Sequence, residues 1–199
     1  MNNIEMTLKN AALDLPTDTP ELTGRAEAEG LIDVAYTSVD SPLGPLVVAA
    51  TPMGLVRVSY TQFRGEDEVL EELARRVSPR VLEAPARLDP VRRELDEYFK
   101  GRRQDFDVPI DWSYLAGFTR EVLRATARIG FGEVSSYAGV AAAAGSPRAV
   151  RAAGNALGSN PMPVVVPCHR VLRSGGKLGG YTGGLERKEF LLRLEGALL

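Results

Sequence analysis

Cys168 and His169 stand side by side in the segment NPMPVVVPCHRVLR (160–173), and they are the only cysteine and the only histidine in 199 residues. The two side chains best suited to nucleophilic attack and proton transfer therefore meet at one point of the chain. A thiol attacks as its thiolate, so it needs a nearby base or positive electrostatics. An imidazole titrates near neutrality and can act as that base. Adjacent residues need not touch side chain to side chain, so a water relay between them fits. A carboxylate can orient the ring through its other nitrogen, and Glu189 is the candidate. The bland reading is a core cysteine beside a capping histidine, because free cysteine is commonly buried. Against it, His169 and Arg170 are poor companions for a purely apolar interior.

The elements around this pair must position it. The run Val164-Val165-Val166 reads as buried and strand-like. Pro167 stops ladder pairing at its own nitrogen and presents Cys168 at a constrained turn. Downstream, SGGKLGGYTGG carries glycines at 175, 176, 179, 180, 183 and 184. They make either a compact loop around a ligand or simply tight turns. The segment lacks the lysine-serine signature of a phosphate loop, which excludes nucleoside triphosphate binding. A final amphipathic helix over 185–194 carries Glu189.

Upstream, Phe118, Val122, Leu123 and Ile129 suit an amphipathic helix that Gly130 and Gly132 end. A short helix fits 136–144, a turn follows at Gly145-Ser146-Pro147, and a third helix fits 148–157. That pattern is compatible with a helix-turn-helix unit, although on pattern alone ordinary helix packing is the favoured reading. The third helix is thin, with Ala149, Ala152, Ala153, Gly154 and Ala156, and it carries Arg148 and Arg151. Small side chains allow close approach to another surface; the arginines favour a nucleic-acid groove, and a thin helix fits the narrow minor groove.

The formal net charge of -2 conceals an asymmetry. Residues 1–114 hold 13 Lys/Arg against 21 Asp/Glu, whereas residues 115–199 hold 11 against 5. Any phosphate-binding surface therefore belongs to the carboxy-terminal part. One cysteine excludes an intramolecular disulfide and, with one histidine, argues against a structural zinc site. No apolar run has transmembrane length, and the amino terminus does not read as a secretory signal. A cytoplasmic location is the expectation.

The fold class expected is α+β. Residues 1–30 read as a flexible extension, with a short helix near 5–12. Residues 31–112 read as an amino-terminal α/β domain with a small antiparallel sheet. Its strands are expected near 32–39, 43–50 and 54–61, and its helices over 65–77 and 88–100. Phe106, Val108, Ile110 and Trp112 then alternate in an extended connection. Residues 113–199 read as a mainly helical domain carrying the helix-turn-helix.

Taken together, PCHRV (167–171), GEVSSYAGVA (132–141), RAAGNALGSNPMPVVV (151–166) and YTGGLERKEFLLRLEG (181–196) resemble the O6-alkylguanine-DNA alkyltransferases, in order and over roughly residues 116–196. The strand-rich part from about 32 to 112 looks like that family's more variable amino-terminal domain. The resemblance implies that Cys168 takes the alkyl group from guanine O6 in a single irreversible turnover, with O4-alkylthymine as a further substrate. His169 would act through a water, with Glu189 positioning that network and Asn160 holding the active-site turn. Tyr137 would help polarise or protonate the departing guanine and crowd a phosphate into rotation. Arg151 would fill the space left by the flipped nucleotide, with Arg148, Ala149 and Ala152 beside it on the DNA face. Val171, Thr182 and Pro163 would form the alkylguanine pocket. Thr182 departs from the serine often found there.

The implied partner is double-stranded DNA containing alkylated bases, bound through the minor groove by a monomer. No cofactor, metal, membrane or obligate protein partner is implied. Three competing functions remain: a damage-recognition protein without transfer, which the retained Cys168 argues against; a transcription regulator; and a general cysteine hydrolase.

Overall fold

The computed structural model describes residues 24–26, 29–62 and 64–198, so the helix expected near 5–12 lies outside the described residues. Three strands, β1 (Val34–Val39), β2 (Leu46–Thr51) and β3 (Gly54–Tyr60), form the expected antiparallel meander. A fourth, β4 (Val81–Glu83), pairs parallel with β1 and gives the order β3-β2-β1-β4. The sheet is therefore mixed rather than purely antiparallel. Three residues are too few to show alternation, which is why this strand leaves no sequence signal.

Helix α1 (Glu66–Arg76) covers one sheet face with Val69 and Leu73 against Val34, Val47, Ala49 and Val56. Helix α2 (Asp89–Phe99) covers the other, and its buried stripe is Val91, Glu94, Leu95 and Tyr98. The connection beyond α2 is strapped onto β3: Leu55 donates its N–H to the Pro109 carbonyl at 2.8 Å, and Asp111 donates back at 3.0 Å. Gly54, at φ +139°, makes this possible, since a Cβ there would lie 2.4 Å from the Pro109 carbonyl oxygen.

In the carboxy-terminal part, α3 (Gly117–Thr126), α4 (Tyr137–Ala143) and α5 (Val150–Gly158) form the helix-turn-helix region. Ser136 caps α4 by accepting from the Gly139 N–H at 3.0 Å. Ser135–Ser136 pair in parallel with Val171–Leu172, tying the start of α4 to the residues after the cysteine. Helix α6 (Leu185–Leu194) completes the unit. A single core runs from Leu46 and Val58 of the sheet, through Leu95 and Tyr98, to Val122, Val166, Cys168 and Leu191. The two halves of the chain thus share one apolar interior.

Candidate active site

The stretch before Cys168 is buried, as expected, but it is a turn and not a strand. Pro161, Pro163 and Pro167 remove ladder donors, and Val164 takes a positive φ of 75°. That conformation is strained for a β-branched residue and persists only where its surroundings impose it. Asn160 does so with both ends of its amide. Its Oδ1 accepts from Met162 N at 3.0 Å, and its Nδ2 donates to the Val166 carbonyl at 2.8 Å and to Cys168 Sγ at 3.1 Å.

Cys168 opens a short 3-10 turn through Arg170 and is 5% exposed. Burial pushes its thiol up to about 11, while the Asn160 hydrogen bond and the charge of Lys188 oppose the rise. His169 is wholly buried, and burial pulls its imidazole below the ordinary value, so the ring rests neutral at pH 7. Its Nε2 lies 2.9 Å from Glu195 Oε1. Its Nδ1 is buried with no hydrogen-bond partner among the described residues.

The carboxylate that orients His169 is therefore Glu195, not Glu189. Along α6 the buried face is Lys188, Leu191, Leu192 and then Glu195 just past the helix end. One residue of helix turns the side chain by about 100°, so Glu189, next after Lys188, lies off that face and half-buried. Glu195 also accepts from Arg170, at 2.8 Å through Nε and 2.9 Å through Nη2, and from the Tyr98 hydroxyl at 2.6 Å. Burial alone would raise its pKa, but the bonds from His169, Arg170 and Tyr98 outweigh it and hold the carboxyl at about 2.

Lys188 is a further buried charge. Its Nζ donates to the Val171 carbonyl at 2.6 Å, and burial lowers its pKa to about 8. Arg170 and Glu195 balance each other, so Lys188 leaves the neighbourhood of the thiol net positive when protonated. This electrostatic bias favours a thiolate.

On its other side Cys168 meets a cleft of about 280 Å³, lined by Tyr137, Gly154, Leu157, Gly158, Gly180, Tyr181 and Thr182. Tyr137 is half-buried, and its hydroxyl packs so closely on Gly179 that a Cβ there would come within 2.4 Å. Thr182 donates to the Gly158 carbonyl at 3.1 Å, joining the glycine-rich loop to the end of α5. Val171 and Pro163 are buried and do not line the cleft. Arg148, Arg151 and Ala152 are exposed and Ala149 is partly covered; none of the four lines the cleft.

Sequence reasoning missed Glu195, Lys188, Tyr98 and Tyr181. The spacing 188, 191, 192, 195 was a usable signal for the first two. Nothing in the sequence pointed from Tyr98 to the site. No group of three or more His, Cys, Asp or Glu among the described residues is arranged to hold a metal ion. No helix among them is long and apolar enough to cross a membrane.

Two family models match the chain: 6-O-methylguanine DNA methyltransferase, ribonuclease-like domain, over residues 34–112, and the DNA binding domain of the same name over 117–197. The chain is 38% identical over 163 residues to the constitutive methylated-DNA–protein-cysteine methyltransferase of Bacillus subtilis, covering 80% of this chain and 94% of that one. Among solved structures, Mycobacterium tuberculosis O6-methylguanine methyltransferase superposes with a TM-score of 0.70 at 36% identity, over 83% of this chain and 94% of that one. The Mycobacterium tuberculosis OGT in complex with DNA gives 0.68 at 36% identity, over 81% and 92%.

Proposed function

Because this chain belongs to the 6-O-methylguanine DNA methyltransferase family, we propose that it repairs O6-alkylguanine in double-stranded DNA by irreversible transfer of the alkyl group to Cys168. The observation that carries this reading is a buried thiol at the floor of a cleft beside the helix-turn-helix, backed by His169 and Glu195. The sulfur lone pair forms the S–C bond as the C–O6 bond breaks. The thiol proton passes through a water to His169, whose Nδ1 is the ring nitrogen not engaged by Glu195. The bonding pair stays on guanine, which takes a proton from the Tyr137 hydroxyl. The resulting imidazolium is stabilised by Glu195, and Arg170 and Tyr98 keep that carboxylate ionised.

Protein–DNA contact is assigned to the face of α5 and the turn before it, with phosphate contacts giving a salt-dependent affinity. Arg151 enters the minor groove and occupies the place of the flipped nucleotide, at the few-kcal/mol cost of extrusion. The protein acts as a monomer, and O4-alkylthymine is a second substrate.

Incubation with a duplex carrying O6-methylguanine, followed by peptide mass analysis, tests the reading. One added methyl mass on the Cys168 peptide is expected. Tight binding with an unmodified cysteine would replace transfer with damage recognition alone.

A further inference from the structure

Tyr60 closes β3 in the amino-terminal domain, 6% exposed and more than a hundred residues before the reactive segment. Its hydroxyl nevertheless lies 2.9 Å from that of Tyr181, whose ring lines the cleft at Cys168. The two rings meet edge to face with centroids 6.4 Å apart, and Tyr181 and His169 are also edge to face, at 6.4 Å. The space around this pair is filled. A Cβ at Gly183 would come 2.7 Å from the Tyr60 ring and 2.9 Å from the Tyr181 ring. Arg187 holds the arrangement from outside. Its guanidinium sits 4.9 Å over the Tyr60 ring and donates to the carbonyls of Leu43 and Gly183, each at 2.8 Å.

We propose that Tyr60 is a specificity-determining positioning residue: by pinning Tyr181, it fixes the wall that limits the size of the alkyl group the cleft admits. The inference rests on the alkyl-transfer reading above. Tyr60 is not among the residues that line the cleft, so it acts on the cleft through Tyr181. A buried phenol that loses its hydroxyl partner must seek another, and for Tyr181 that means leaving its present position. A wall free to move accommodates a bulky substituent and matters little to a methyl group.

The test compares single-turnover transfer from duplexes containing O6-methylguanine and O6-benzylguanine. In Tyr60→Phe the benzyl-to-methyl rate ratio rises about tenfold, the scale on which pocket size discriminates between substrates. Tyr60→Ala, which also opens space behind the ring, raises it further. The double variant Tyr60→Phe/Tyr181→Phe leaves no buried hydroxyl without a partner, so its ratio returns toward that of the parent. The ratio is the readout that a general loss of stability does not move, since both substrates use the same folded fraction. Should Tyr60→Ala fail to fold, Tyr60→Phe still decides. A parent protein that modifies Cys168 with neither substrate overturns the transfer reading. A parent that transfers both, with an unchanged ratio in Tyr60→Phe, overturns the role of Tyr60 alone.

Discussion

Cys168 stands between two surroundings built in opposite ways. Behind it, five side chains are buried: Asn160 bonds to the sulfur itself at 3.1 Å, and His169, Arg170 and Tyr98 are tied to Glu195 by bonds between 2.6 and 2.9 Å. In front, Tyr137, Gly158, Gly180 and Thr182 border an open cleft, and Arg148, Arg151 and Ala152 stand at the surface. Apart from His169 Nδ1, the back is satisfied by the protein's own groups, which hold the imidazole against Glu195 and the sulfur against Asn160. The front leaves charge and donors unspent for an outside partner. Preorganisation is useful only where the charge will develop, so the back must be rigid before the substrate arrives. Base flipping needs room, so the front must not be filled.

Removing the sulfur separates the two sides completely. Cys168→Ala abolishes transfer while leaving affinity for damaged duplex DNA, measured by titration, essentially intact. Transfer by that variant would refute Cys168 as the acceptor.

The next largest effect lies behind the cysteine. Glu195→Gln leaves Arg170 buried against a neutral partner, and loss of one member of a buried pair costs about 3–5 kcal/mol. The fall of the Glu195 pKa from 4.5 to about 2 corresponds to about 3 kcal/mol of stability. Because the folded-state value is depressed, that contribution is present above pH 4.5 and is lost as pH falls from 4.5 toward 2. Denaturant unfolding should therefore show Glu195→Gln about 3 kcal/mol less stable than the parent at pH 7, with the gap closing in acid. Glu189→Gln, off the buried face, should change stability by less than about 0.5 kcal/mol. A reversed ranking would return the orienting role to Glu189.

These two glutamates also show what could be read from the sequence and what could not. The front was legible because its signals are local: the turn Gly145-Ser146-Pro147, the thin alanine helix and the exposed arginines all follow from residues within one short stretch. Helices over 117–126, 137–143, 150–158 and 185–194 lie within a few residues of their expected places. The back was legible only at its chemical centre, Cys168 and His169. Its supports come from distant elements, with Tyr98 97 residues from Glu195, and no local pattern encodes such a contact. The strand expected at Val164–Val166 failed for a related reason. Hydrophobicity reported burial correctly, but the flanking prolines and the Asn160 side chain decided the backbone.

The thiol itself tests whether the back activates sulfur in the absence of substrate. With its pKa raised to about 11, Cys168 is almost wholly protonated at neutrality. Its reaction with a small uncharged electrophile such as iodoacetamide should rise about tenfold per pH unit, and so about a hundredfold from pH 7 to pH 9, because each unit raises the thiolate fraction tenfold below the pKa. A rate that plateaus below pH 8 would mean that the thiolate is preformed in the free protein.

Arg151 carries the smallest of these effects and the most direct comparison of the two sides. It is exposed on α5, and no hydrogen bond or ion pair among the described residues links it to the network behind the cysteine. Arg151→Ala should therefore slow transfer from an O6-methylguanine duplex about tenfold, the lower end of the 1–3 kcal/mol cost of losing an arginine that contacts DNA. The same variant should react with free O6-benzylguanine at the parent rate, since no nucleotide has to leave a stack. Single-turnover kinetics on both substrates measures this split. Equal losses on duplex and free base would mean that Arg151 supports the thiol rather than the flipped state, and the division between front and back would fail at that residue.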